Sequence, residues 1–188
     1  MPAQIAQKAM EAFAPSAADA YHRRLMDAYF AENRTISDVE VLDLSTLPLE
    51  LFSPDAYSTK PAAFEPFSQR ILESDGLVVI APEYNGSYAG ALKLFIDMLK
   101  FPESFENRPV AYVGIAAGIW GGLRPVEHLQ QVFGYRNALN FNERVFIPAV
   151  GKAFDEDRGS FTPPLIEELL EQQTARFIDF VRRLKGVE

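Results

Sequence analysis

The 188-residue chain has no cysteine, which excludes disulfides, thiolate metal centres and thiol nucleophiles together. It has only two histidines, His22 and His128, far apart in sequence, so no zinc or histidine-based catalytic site is expected and no catalytic side chain is assigned. No apolar run approaches the roughly 18 to 20 residues a membrane-spanning helix needs. The start, MPAQIAQKAM, lacks the charged head and apolar middle of a secretory signal. Basic residues are in the minority, 18 Lys and Arg against 26 Asp and Glu, giving a net charge of −8. The chain as a whole therefore has no electrostatic reason to approach nucleic acid or an anionic membrane.

What is present is ordinary globular composition, 48% hydrophobic and 23% charged, with the length of one domain (residues 1–188) that hides roughly 70% of its unfolded surface. A soluble, cytoplasmic protein is the expectation. Periodicity predicts helices over 3–13 and from Ser16 onward, where Ser16 and Asp19 form a capping signal. It predicts a strand over 39–44 (VEVLDL) and a long surface loop over 47–66. An amphipathic helix follows over 66–74, with Phe67, Ile71 and Leu72 facing inward. Two short, continuously apolar runs, 77–81 and 109–117, read as strands buried on both faces. Helices are expected over 90–101 and 125–133, a strand over 144–150, and a closing helix over 164–185 with Leu165, Leu169, Phe177, Phe180, Val181 and Leu184 as its apolar stripe. Strands alternating with helices at this spacing imply a doubly wound parallel sheet.

In such sheets ligands bind beyond the carboxyl ends of the strands, where the polar cluster PEYNGS, Pro82 to Ser87, stands. Pro82 tends to stop the ladder, and Asn85 and Gly86 tolerate unusual backbone angles. The loop AGIWGG, Ala117 to Gly122, occupies the equivalent end of the next strand. Together they suggest two glycine-bearing lips of one crevice. Glycine-containing turns are also common structural features of α/β domains. On residue type alone Glu83 also reads as a helix-start charge, Trp120 as a core aromatic, His128 as a surface or packing residue, and Arg124 as a helix cap or an anion-positioning group.

PEYNGSYAGALKLFIDML closely resembles the P-E-Y-N-x-S-x-x-G-x-L-K-x-x-I-D signature of the flavodoxin-like NAD(P)H-dependent FMN reductases, which include quinone, chromate and azo-compound reductases. VEVLDLSTLPL, IAAGIWGGLRPVEHLQQVF and VFIPAVGKAFDEDRG resemble further family segments, so the likeness spans residues 39–188. It implies a three-layer αβα fold with FMN as cofactor, NAD(P)H as cosubstrate and a small-molecule electron acceptor, in a homodimer or homotetramer. It further implies that Pro82, Glu83, Tyr84, Asn85 and Ser87 line one side of the flavin, with Ala117, Gly118, Gly121 and Gly122 along its pyrimidine edge. The chemistry would then belong to the cofactor.

Leu94 stands where the family often has Asn. More consequential, nothing matches the family's first strand and its phosphate-binding loop, G-S-x-R-x-x-S-x-N, and no glycine precedes Gly76. Residues 1–37 read instead as an atypical helical start. Losing about three charge-assisted hydrogen bonds, at roughly 2 kcal/mol each, would remove about four decades of affinity. The expectations are a truncated reductase, a smaller sheet in which VEVLDL pairs directly with LVVIA, or helices substituting for the lost element. The rival to an enzyme is a degenerate, non-catalytic module with impaired FMN affinity.

Overall fold

The computed structural model describes residues 39–155, 158 and 160–186; the helices expected over 1–37 lie outside that set. The central sheet has strands β1 (Leu77–Tyr84), β2 (Ser87–Tyr88), β3 (Pro109–Ile115) and β4 (Leu139–Ile147), in the order β2-β1-β3-β4. β1, β3 and β4 run parallel, and β2 alone is antiparallel. The register of the first pair runs from Leu77 opposite Val110 to Pro82 opposite Ile115.

Helices fill the connections: α1 (Glu65–Glu73), α2 (Gly90–Met98), α3 (Leu123–Tyr135), the single turn α4 (Val150–Ala153) and α5 (Leu165–Lys185). A short ribbon of β5 (Phe154–Asp155) and β6 (Ser160–Phe161) precedes α5. Alternation along β3 divides the core. Val110 and Tyr112 join Leu51, Phe64, Phe95 and Leu129 on one face, against α1 to α3. Val113 and Ile115 join Val145, Ile147, Ile166 and Leu170 on the other, against α5. Every residue of β3 is buried, whereas β1 is mostly half-buried. This is the expected flavodoxin-like α/β arrangement, a parallel sheet with helices on both faces, and among the described residues no strand precedes β1.

Several boundaries differ from the sequence reading. Residues 39–43 form no strand, and Leu44–Thr46 is a 3-10 turn that Asp43 caps through Ser45 N. None of the described strands pairs with this segment, so it does not extend the sheet beside β1. Its side chains still divide like those of a strand: Val39 packs against the same core cluster as Val78 and Ile80, while Leu42 and Leu44 pack against the one that Leu77 and Val79 join. The apolar pattern survives without the ladder because an extended segment becomes a strand only when a neighbour takes its backbone hydrogen bonds.

The segment over 47–66 is likewise more than a surface loop. Three further 3-10 turns, Leu49–Phe52, Pro54–Tyr57 and Ala62–Phe64, seat Leu47, Leu51, Ala56 and Phe64 in the core. β4 begins earlier than expected, at Leu139. On α5 the buried residues are Ile166, Leu170, Gln173, Thr174, Phe177 and Ile178, while Leu165, Leu169 and Leu184 are exposed.

Burial pushes the Tyr112 hydroxyl well above the ordinary tyrosine range, and that hydroxyl donates to Asn140 Oδ1 at 2.5 Å. The folded state holds this proton more tightly than the unfolded chain, so the contribution is complete below about pH 10 and falls as pH rises beyond it. Melting temperature should therefore drop steeply from pH 9.5 to pH 11.5, values set about the ordinary tyrosine range. A flat profile would contradict this role for Tyr112.

Candidate functional site

Two polar lips face each other beyond the carboxyl ends of β1 and β3. The first is β1 itself, which continues past Ala81 through Pro82, Glu83 and Tyr84 and then reverses at Asn85-Gly86 into β2. Pro82, with no N–H to offer, stands at the last parallel pair, where the ladder ends. Tyr84 lies opposite Ser87, and Glu83 opposite Tyr88. Asn85 (φ 50°) and Gly86 (φ 77°) supply the left-handed pair that a two-residue hairpin requires, and Asn-Gly is a leading sequence for such a turn. PEYNGS is thus a hairpin tip rather than a strand-to-helix turn. Glu83 belongs to a strand, not a helix start, and α2 begins only at Gly90.

The second lip follows β3. Ala116 N donates to Ile147 O (3.1 Å), while the Ala116 and Gly118 carbonyls accept from Val150 N and Ala149 N at 3.0 Å each. These bonds hold the turn rigid. The amides of Ala117 and Gly118 donate to nothing among the described residues.

Between the lips lies a cavity of about 240 Å³ lined by Glu83, Asn85, Gly86, Ala116, Ala117, Gly118 and Trp120. Of the residues singled out from sequence, Glu83, Asn85, Ala117 and Gly118 meet in its wall. Pro82, Tyr84, Ser87, Gly121 and Gly122 are not in its wall: Pro82 ends the parallel ladder, Tyr84 and Ser87 pair in the hairpin, and the two glycines fold the second lip onto the sheet. Sequence reasoning missed Gly86 and Ala116 as lining residues, and Trp120 is 66% exposed rather than a core aromatic. The signal for Gly86 was the Asn-Gly dipeptide. For Ala116 and Trp120 no local pattern distinguishes a rim from a core.

One atom tests what the cavity suits. Glu83 Oε2 is buried without a hydrogen-bond partner among the described residues, a condition costing about 1 to 3 kcal/mol unless a donor arrives. With free amides on the opposite lip, the cavity presents an acceptor and donors together. That donor and acceptor set fits the pyrimidine edge of a flavin, where one ring N–H stands between two carbonyl oxygens. The volume lies below the roughly 300 to 1,000 Å³ of pockets that enclose a whole small ligand, which suits a ring rather than a complete nucleotide. Burial raises the Tyr84 hydroxyl above its ordinary value. Among the described residues no group of three or more His, Cys, Asp or Glu is placed to hold a metal.

Comparison with known proteins identifies the family and the fold. The family model described as NADPH-dependent FMN reductase matches residues 12–152. An NAD(P)H-dependent FMN reductase of Pseudomonas aeruginosa is 35% identical over 152 residues, covering 79% of this chain and 80% of that one. A quinone reductase of Escherichia coli is 29% identical over 154 residues, covering 80% and 78%. Among solved structures, an oxidoreductase from Corynebacterium diphtheriae superposes with a TM-score of 0.71 at 21% identity over 89% of this chain and 87% of that one. The flavoenzyme NAD(P)H:(acceptor) oxidoreductase FerB of Paracoccus denitrificans gives 0.67 at 23% identity, covering 86% and 89%.

Proposed function

This chain belongs to the NADPH-dependent FMN reductase family, and on that premise we propose that it reduces a quinone or similar planar acceptor with NAD(P)H as donor. Its class is settled by kinship: it is an oxidoreductase that uses FMN and NAD(P)H. The non-catalytic alternative finds no support among these relatives. The observation that carries the proposal is the cavity at the ends of β1 and β3, with its orphaned Glu83 oxygen opposite unused amides.

In this reading Glu83, Asn85, Ala117 and Gly118 hold the flavin ring directly, while Pro82, Tyr84, Ser87, Gly121 and Gly122 set the shape of the seat. FMN, when bound, supplies the hydride and electron chemistry. The protein's own residues bind the ring edge, restrict its tilt and exclude water from one face. No helix among the described residues is long and apolar enough to cross a membrane. A cytoplasmic homodimer or homotetramer is the corresponding proposal for location and assembly.

Trp120 stands at the cavity rim with most of its surface free, and its indole offers a stacking face to a planar acceptor. Trp120→Ala should raise the KM for a naphthoquinone about five- to tenfold, equivalent to roughly one stacked aromatic pair. An unchanged KM would remove Trp120 from the acceptor site.

Since this sequence lacks a G-S-x-R-x-x-S-x-N match, FMN should be held weakly. Gel filtration should strip the yellow colour, and added FMN should restore quinone-dependent NAD(P)H oxidation. Stoichiometric FMN surviving gel filtration would overturn the weak-binding expectation. No oxidation with saturating FMN and either nicotinamide would overturn the reductase proposal.

A further inference from the structure

The two lips of the cavity are joined from outside by one face of α3. The helix starts at Leu123, directly after Gly122, so its N-terminus is rooted in the second lip. One turn apart on that face stand Arg124 and His128, both exposed. His128 Nδ1 lies 2.9 Å from Ser87 Oγ, a hydrogen bond whose direction the imidazole tautomer sets. The arm of Arg124 lies against Gly86, where an added Cβ would stand 3.4 Å from one guanidinium nitrogen and 3.9 Å from Cδ.

The hairpin needs such support. Only Glu83–Tyr88 and Tyr84–Ser87 pair across it, and an isolated two-stranded hairpin is marginal in water even when longer. The same hairpin carries Glu83, Asn85 and Gly86 into the cavity wall. A contact that stops it from splaying therefore also fixes the distance between the buried carboxylate and the opposite amides.

We infer that His128 is a positioning residue, which latches Ser87 to α3 with the Arg124 arm beneath Gly86 and thereby sets the width of the ring crevice. This deepens the FMN-seat reading and rests on it for the binding consequence, but the latch itself is a property of the protein without ligand. His128 touches no reacting atom in this scheme. Its effect passes through Ser87 and the hairpin.

The test uses the full chain with His128→Ala, His128→Asn, Ser87→Ala and the double alanine variant. On the FMN-free protein, hydrogen exchange of the peptide covering residues 83–88 should quicken about two- to tenfold in His128→Ala and Ser87→Ala, as expected for losing one net hydrogen bond. Exchange in β3 and β4 should not change. In FMN fluorescence titrations both single variants should weaken binding by a similar factor, and the double variant should be no worse than either. His128→Asn, which keeps a hydrogen-bonding group at the δ position, should restore much of the parental value. Unchanged exchange in the hairpin, or single-variant effects that add in the double variant, would overturn the latch. If exchange quickens as expected but the parent protein binds no FMN, the latch stands and the flavin-seat reading fails.

Discussion

Gly122→Ala should lower the melting temperature by about 8 to 16 °C and abolish FMN binding. The chain at this point doubles back on β3 so tightly that a Cβ at Gly122 would lie 2.4 Å from Ile115 N, 2.7 Å from Gly114 C and 2.8 Å from Gly114 Cα. All three obstacles are backbone, so no side-chain rotation relieves them. Gly122 also has φ 81°, which costs a non-glycine residue about 1 to 3 kcal/mol by itself. With the clash included, about 4 kcal/mol is a conservative total, and domains of this size shift by about 2 to 4 °C per kcal/mol.

Gly118→Ala supplies the contrast. A Cβ there meets nothing within 4 Å, so the variant should melt within about 2 °C of the parent, with any effect confined to the cavity it lines. Thermal melts and FMN titrations of the pair separate the glycine that builds the lip from the glycine that forms its surface. A Gly122→Ala protein with parental stability would mean that the loop can leave β3 without loss, contradicting its role in shaping the site.

Gln173→Met should be the most damaging volume-conserving change on α5, costing about 2 to 4 kcal/mol and about 4 to 16 °C in melting temperature. Gln173 is 1% exposed, and its Nε2 donates to Tyr112 O at 2.9 Å and to Glu143 O at 3.0 Å. These carbonyls belong to β3 and β4 where their register shifts: β4 takes in extra residues between Asn140 and Arg144 while β3 passes only from Val110 to Tyr112. The ladder leaves acceptors there, and the side-chain amide from α5 meets them. Methionine fills similar space but donates nothing. A Gln173→Met protein melting within about 1 °C of the parent would show that the amide is dispensable to the bulged ladder.

Gln173 also shows why one part of the fold escaped sequence reasoning. The stripe expected on α5 runs through Leu165, Leu169, Phe177, Phe180, Val181 and Leu184, of which Phe177 is buried while Leu165, Leu169 and Leu184 are exposed. The face that packs on the sheet is the adjacent one, Ile166, Leu170, Phe177 and Ile178, interrupted by Gln173 and Thr174. Periodicity fixes that one face is buried but not the helix's rotation about its axis. The rotation observed brings Gln173 to the β3–β4 bulge, which forms only when distant strands pair. VEVLDL failed for a related reason: its alternation is real, but pairing depends on which neighbour lies beside it.

By itself the sequence determined the α/β class, the apolar strands at β1 and β3, the family signature at PEYNGS and the exclusion of thiol chemistry, because composition and short periodic patterns are local properties. It also held the Asn-Gly hairpin signal, since two adjacent residues at positive φ need no distant contact. Only the tertiary structure decided that Trp120 stands at a rim, that Glu83 keeps a buried oxygen without a partner among the described residues, and that His128 on α3 reaches Ser87 in the hairpin. Those facts arise where chain segments remote in sequence meet, and which groups they bury or leave unpaired is fixed by packing rather than by any local pattern.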